Sequence, residues 1–124
     1  MTRSAIQTVS RERDLLTIVY EAFNRRDIDS ILNVMHPEVE WPNGMEGGWV
    51  HGREGVRAYW SRQWGMIDPR VDPVQFHEGE NGKVVVDVHQ VVRDLSGTVL
   101  LDRTVQHAYL IKGGLIVRME IRET

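Results

Sequence analysis

The sequence predicts an α+β domain in which three helices pack on one face of an antiparallel sheet. In the first half of the chain, apolar residues recur at the three- and four-residue spacing of amphipathic helices. The second half holds long runs rich in Val, Ile and Leu, which are typical of strands. Helices followed by hairpin-connected strands favour segregated layers. Three pairs of turn-forming residues predict the hairpins: Asn81-Gly82, Ser96-Gly97 and Gly113-Gly114.

Three helices are predicted before the strand-rich region. The first covers residues 10–24, with Ser10 as its N-cap, because apolar side chains then follow at helical spacing. Asp27 caps a second, short helix over residues 28–36. The third helix covers residues 53–67 and ends before a proline.

The remaining segments are predicted as strands, turns and one loop. A short strand at Val39-Glu40-Trp41 leads into a glycine-containing loop over residues 42–52. Two Asp-Pro pairs predict a turn over residues 68–73. The four predicted sheet strands that follow cover residues 74–78, 83–94, 98–112 and 115–122.

Composition limits the classes of function. The chain has 124 residues with 41% hydrophobic and 27% charged residues, which predicts one globular domain over residues 1–124. It contains no cysteine, which excludes disulfides, thiol catalysis and cysteine-ligated metals. The net charge is −3 and no long run of like charge occurs, so neither nucleic acid nor a membrane is an expected partner. We expect a cytoplasmic protein, since no apolar run resembles a signal peptide or a membrane span.

Alternation along the predicted strands assigns each side chain to one face of the sheet. One face is almost entirely apolar and is expected to pack against the helices. Its polar exceptions are Gln90, Arg103, His107 and Tyr109. A buried polar group costs free energy unless it is paired, so these four side chains either form a structural network or line a cavity.

Several segments resemble a known family. The segments at residues 20–27, 36–41, 51–57 and 96–118 are similar to those of SnoaL-like proteins in the nuclear transport factor 2-like superfamily. The resemblance implies a cone: a bent antiparallel sheet wrapped around three N-terminal helices, with an apolar internal pocket at the open end. The superfamily includes ketosteroid isomerases, cyclases, dehydratases and pocket proteins without known chemistry, so the fold alone does not define a function.

The ketosteroid isomerase constellation is not retained in the sequence. By position, the tyrosine of its first helix falls on Val19, with Tyr20 beside it expected to point elsewhere. The aspartate that acts as base falls on Trp41, and the aspartate of the oxyanion site falls on His107. That isomerase mechanism is therefore not expected.

His107 is the candidate catalytic residue, with Arg103 beside it to hold an oxyanion or a carboxylate. An imidazole in an apolar pocket is expected to be neutral at pH 7, because burial and a neighbouring guanidinium both disfavour its charged form. The alternative roles are structural: His107 bonded to Arg103 or Gln90, and Arg103 paired with Glu21 or Asp14. The five histidines show no metal-binding spacing, so neither a metal nor another cofactor is expected.

The predicted pocket is aromatic and aliphatic, and Trp60 and Trp64 have the alternative of being plain core residues. Its predicted lining comprises Val19, Phe23, Trp41, Trp60, Trp64, Val88, Val105, Tyr109, Val117 and Met119, with Gln90 as a polar contact. Two functions remain open. The protein binds a small hydrophobic molecule, or it is a cofactor-free isomerase, cyclase or dehydratase that uses His107 on a carbonyl or polyketide-like substrate. The absence of an inward-facing Asp or Glu on the sheet favours binding.

A homodimer is predicted through the outer face of the sheet. This face combines an apolar centre with opposite charges around it, an arrangement that suits a two-fold contact. The predicted centre comprises Val91, Leu100, Ala108, Leu110 and Ile116, and the charged rim comprises Asp87, Arg93, Asp102, Arg118 and Glu120.

Overall fold

The computed structural model describes the backbone of residues 5–123 and the side chains from residue 11 onward. This part of the chain forms three α-helices and a six-stranded sheet, which confirms the predicted α+β class. The helices are α1 (Ala5–Asn24), α2 (Ile28–Leu32) and α3 (Gly52–Trp64). The strands are β1 (Met35–Pro42), β2 (Trp49–His51), β3 (Ile67–Glu78), β4 (Val84–Asp94), β5 (Val99–Lys112) and β6 (Leu115–Glu123).

The sheet is mixed rather than purely antiparallel. Its strand order is β2-β1-β6-β5-β4-β3, and β1 and β6 form a parallel pair in which Met35 lies opposite Ile116. The other neighbouring strands are antiparallel. A parallel pair needs a long connection, and here most of the chain intervenes between β1 and β6.

The predicted helix boundaries are partly confirmed. Asp27 caps α2 as expected, because its carboxylate accepts hydrogen bonds from the backbone N–H and the hydroxyl of Ser30. The predicted cap at Ser10 is wrong, since α1 already begins at Ala5. The predicted helical position of Met35 is also wrong. Met35 starts β1, and the backbone N–H of Ile116 donates to the carbonyl just before it. This distant pairing overrides the local helical pattern.

The turn predicted over residues 68–73 is wrong, because β3 runs through it. Proline lacks the N–H that a central strand must donate, but β3 is the last strand in the sheet order and has only β4 as a neighbour. Pro69 and Pro73 are therefore tolerated. The strand also begins at Ile67, which was predicted to end the third helix, and β2 lies within the predicted loop over residues 42–52.

The three predicted hairpins are confirmed. A short 3-10 turn, Glu80–Gly82, joins β3 to β4, and both Asn81 and Gly82 adopt positive φ angles of 57° and 75°. Asn and Gly reach this left-handed region at the least cost, which explains why such pairs mark hairpins in a sequence. The pairs at residues 96–97 and 113–114 occupy the turns on either side of β5.

A β-bulge in β6 changes the predicted face assignment. Leu110 pairs with Arg118 but Ile111 pairs with Ile116, so Val117 is the extra residue of the bulge. Ile116 therefore faces the core, where it is 0% exposed. Its predicted place on the outer face is wrong, and Val117 does not take the inward position expected for it. The predicted inward positions of Val84, Val86 and Val88 are confirmed, because all three belong to the core.

The outer face of the sheet carries a layer of paired polar side chains. The His77 imidazole lies 2.7 Å from the Asp87 carboxylate, which also accepts from Gln106. Lys83 donates to Glu120 in the same layer. Ala108 is buried on this side although it lies outside the apolar core cluster.

Candidate functional site

A cavity of about 90 Å³ lies between the helices and the inner face of the sheet. Its walls come from α1, α3, the loop after β1, and strands β1 and β3 to β6. Most of the lining side chains are apolar or aromatic, and none of them is Asp or Glu. The lining residues are Val19, Tyr20, Phe23, Trp41, Pro42, Gly44, Tyr59, Trp60, Gln63, Pro69, Val71, Gln90, His107, Tyr109, Met119 and Ile121.

Aromatic rings form one continuous wall of this cavity. The ring of Trp60 lies 5.4 Å from that of Trp41 and 5.4 Å from that of Phe23, in edge-to-face geometry in both cases. Trp41 in turn lies 6.2 Å from Tyr109. Trp64 stacks on Trp60 at 5.8 Å but does not line the cavity. The wall is therefore supported from behind by a further indole.

Three polar side chains form a directed hydrogen-bond chain on the cavity wall. The hydroxyl of Tyr109 donates to the hydroxyl of Tyr20 over 2.9 Å. The Tyr20 oxygen lies 2.8 Å from Nδ1 of His107. Tyr20 accepts from Tyr109 through one lone pair, so its own buried proton needs an acceptor, and Nδ1 of a neutral His107 is the acceptor within reach. A neutral imidazole that accepts at Nδ1 carries its proton on Nε2.

Electrostatics keeps this chain neutral. Burial lowers the pKa of His107 to about 4, and the positive charge of Arg103 acts in the same direction. Both effects act in the direction of the predicted neutral imidazole. Burial also raises the pKa of both Tyr20 and Tyr109, and their mutual contact raises that of Tyr20 further. All three groups are uncharged at neutral pH, so the donor order described above is retained.

Arg103 lies outside the cavity. Its Nε donates to Oε1 of Gln90 over 3.0 Å, and a terminal nitrogen lies 3.4 Å from Glu123. The predicted pairing with Glu21 or Asp14 is wrong, because Arg103 lies toward the end of the sheet where β6 terminates. Gln90 lines the cavity, and because Arg103 donates to its Oε1, the two donors of its NH2 group are not used by Arg103.

The loop between β1 and β2 closes one side of the cavity. The backbone N–H of Gly44 donates to the Tyr59 hydroxyl over 3.0 Å. Within the loop, the Asn43 side chain accepts from the backbone N–H groups of residues 45 and 46. Glu46 forms an ion pair with Arg62 of α3. The loop is therefore attached to α3 at two points.

The structure brings together most of the predicted site residues, and their role toward a ligand stays a prediction. The predicted residues found in the cavity wall are Val19, Phe23, Trp41, Trp60, Gln90, His107, Tyr109 and Met119. Those that do not line it are Trp64, Arg103, Val88, Val105 and Val117.

Sequence reasoning missed two tyrosines of the cavity wall. Tyr20 was expected to point elsewhere, yet it is buried in contact with His107. Its helical spacing from Leu16 and Phe23 places it on the inward face of α1 and was the available signal. Tyr59 has the same relation to Val56 on α3. Val19, which takes the isomerase tyrosine position in the sequence, lines the cavity beside Tyr20.

The described residues form neither a metal-binding cluster nor a membrane-spanning helix. In residues 11–123, no three His, Asp or Glu side chains are close enough together to hold a metal ion. None of the described helices combines the length and hydrophobicity that crossing a membrane requires.

The three helices, the open mixed sheet and the cavity between them define a small α+β domain with the ketosteroid isomerase-like fold. The SnoaL-like domain family matches residues 17–119, and the chain belongs to this family. Among curated proteins no significant match is found.

Solved structures agree with this assignment. TerC, co-crystallised with polyporic acid, is 30% identical, with 92% of each chain covered and a TM-score of 0.79. An NTF2-like protein of unknown function from Burkholderia pseudomallei is 27% identical, with 92% of this chain and 91% of that chain covered and a TM-score of 0.78. Rv0760c from Mycobacterium tuberculosis, in complex with estradiol-17beta-hemisuccinate, shares the fold at 15% identity, covering 82% and 85% of the two chains with a TM-score of 0.70.

Proposed function

We propose that this protein binds a small, largely apolar molecule that carries an acceptor oxygen, and that Nε2–H of His107 donates to that oxygen. The observation that carries the proposal is the directed chain from Tyr109 through Tyr20 to His107, set in a cavity with otherwise mainly apolar walls. Apolar pockets with a few placed polar groups are the usual form of small-molecule sites.

The direction of the chain determines what His107 offers. Its Nδ1 is occupied by the Tyr20 hydroxyl, so the nitrogen left for a ligand is the protonated Nε2. Successive hydrogen bonds polarise one another, which strengthens the final donor. The imidazole is also uncharged, so it favours a carbonyl oxygen without attracting a carboxylate by charge.

The same geometry argues against proton abstraction. A His107 base would need a free lone pair on the cavity side, which is the tautomer that the Tyr20 hydroxyl disfavours. No Asp or Glu occurs in the cavity lining to replace it. We therefore propose binding and carbonyl polarisation, and the alternative of an acid/base isomerase, cyclase or dehydratase has less support.

Solved relatives support a small-molecule ligand. TerC, 30% identical over 92% of this chain, was co-crystallised with polyporic acid. Polyporic acid is therefore a reasonable first probe.

The His107→Asn variant is expected to bind polyporic acid about 5- to 30-fold more weakly than the wild type, the loss of one buried hydrogen bond. Tryptophan fluorescence can follow the titration, since Trp41 and Trp60 line the cavity. His89→Asn is the matched control, because His89 lies on the exposed outer face beside Asp102. Equal affinities for wild type and His107→Asn would contradict the proposal.

A homodimer through the outer face of the sheet remains a prediction with a changed centre. Val92 pairs with Leu101 and Arg93 with Val99, so Leu100 is the extra residue of a bulge in β5. Val99 and Leu100, 50% and 58% exposed, are the uncovered apolar side chains at this end of the face, whereas Ile116 belongs to the core. We expect light scattering at micromolar concentration to give twice the chain mass, and Leu100→Glu to shift the protein toward the monomer. A wild-type monomer under these conditions would contradict the dimer.

A further inference from the structure

The hydroxyl of Tyr59 makes more than the one hydrogen bond that supports the loop after β1, and its proton is used in none of them. Tyr59 is 5% exposed on α3 and lines the cavity. Its oxygen accepts from the backbone N–H of Gly44 over 3.0 Å and from Nε2 of Gln63 over 3.2 Å. In the described part of the chain, this hydroxyl accepts two hydrogen bonds and donates none.

A phenolic hydroxyl offers two acceptor lone pairs and one proton. Both lone pairs of Tyr59 are occupied, so only the proton remains for a further partner. The bond from Gly44 holds the loop after β1, and the bond from Gln63, one turn further along α3, fixes the hydroxyl within the helix. A buried donor without an acceptor costs free energy, and an acceptor brought into the cavity by a ligand removes that cost.

We propose that the Tyr59 hydroxyl is a second donor to the ligand, and that the site therefore selects apolar molecules with two acceptor oxygens over those with one. This inference rests on the proposed function, in which His107 binds the first oxygen. The two donors belong to different walls: His107 lies on β5 and Tyr59 on α3. The enclosed space of about 90 Å³ opens to solvent on one side, so a rigid molecule with two carbonyl oxygens, such as a dione or a quinone, would reach both donors while part of its ring system lies in the opening.

Three probes of similar size test whether affinity depends on the number of carbonyl oxygens. 1,4-Naphthoquinone has two carbonyls, 1-tetralone has one, and naphthalene has none. The chain has no cysteine, so the quinone cannot alkylate a thiol. We expect the wild type to bind naphthoquinone about tenfold tighter than tetralone, the effect of one additional hydrogen bond. Isothermal titration calorimetry measures all three affinities.

Two variants assign the second donor. Tyr59→Phe is expected to reduce the preference for naphthoquinone over tetralone to about one, with tetralone binding retained. Gln63→Met removes the neighbouring amide but keeps the hydroxyl, so the preference is expected to persist. A preference lost in Gln63→Met and kept in Tyr59→Phe would assign the donor to Gln63 and overturn the inference.

The remaining outcomes separate this inference from the function on which it rests. If His107→Asn weakens both carbonyl probes while Tyr59→Phe keeps the preference, the inference fails and the proposed function stands. If the wild type binds naphthalene as tightly as tetralone and naphthoquinone, or binds no probe, both fail. Should Tyr59→Phe not fold, a crystal structure of the wild-type complex decides: a quinone oxygen within about 3 Å of the Tyr59 hydroxyl is expected, and its absence there overturns the inference.

Discussion

Replacement of Trp60 by alanine is expected to lower the free energy of unfolding by about 3–5 kcal/mol, the range for truncating a large buried aromatic residue. Trp60 is 2% exposed and contacts the rings of Trp41, Phe23 and Trp64. Removing the indole leaves these three rings without their common neighbour. The loss comes both from the transfer of apolar surface and from the space left behind.

Trp49 provides the matched control for this substitution. It is 40% exposed, and its main contact is the guanidinium of Arg118, 4.1 Å from the ring centre. The cation–π contact with Arg118 contributes about 0.5–1 kcal/mol, and the partly buried ring adds a further loss of apolar burial, so Trp49→Ala should cost more than the contact alone but clearly less than Trp60→Ala. Urea unfolding followed by circular dichroism compares the two. Similar losses for both variants would contradict the central position of Trp60 in the core.

The elements that the sequence predicts well are those determined by neighbouring residues. The pair Asn81-Gly82 reaches positive φ angles more readily than other residues, and the structure places it in the β3–β4 connection. Asp27 is similar, because its capping bonds reach only to Ser30. Such local chemistry needs no knowledge of the rest of the fold.

The elements that were predicted wrongly depend on distant partners. Met35 continues a helical pattern, yet it forms β1 because Ile116 pairs with it from the other end of the chain. Pro69 and Pro73 indicate a turn unless the strand that holds them is at the edge of the sheet. The strand order, which sequence patterns do not contain, decides both cases.

The cavity residues also divide into those predictable from neighbouring positions along a strand and those that depend on distant parts of the chain. Alternation along β4 and β5 correctly placed Gln90, His107 and Tyr109 on the inner face. It failed at Val117, since a single bulge residue reverses every assignment on one side of it. The hydrogen-bond chain itself could not be predicted, because Tyr20 is 87 residues away from His107 in the sequence.

Acidification is expected to destabilise the wild-type protein between about pH 6.5 and pH 4 through His107. Burial lowers the pKa of His107 from 6.5 to about 4 in the folded state, whereas the imidazole of the unfolded chain titrates near its usual value. Between these two values the unfolded chain binds more protons than the folded protein, so the free energy of unfolding rises with pH. The stabilisation is complete above the unfolded pKa and is lost as the pH falls toward the folded one.

The size of this effect follows from the difference between the two pKa values, and it amounts to about 3 kcal/mol over the whole interval. His107→Asn removes the titrating group, so its free energy of unfolding should change with pH by about 3 kcal/mol less than that of the wild type over this range. Other carboxylates contribute to the profiles of both proteins and cancel in this comparison of slopes. Urea unfolding at half-unit pH intervals measures the slopes, and identical slopes for wild type and His107→Asn would show that His107 is protonated in the folded protein as easily as in water. In that case burial would not disfavour the charged form of His107 in the folded protein.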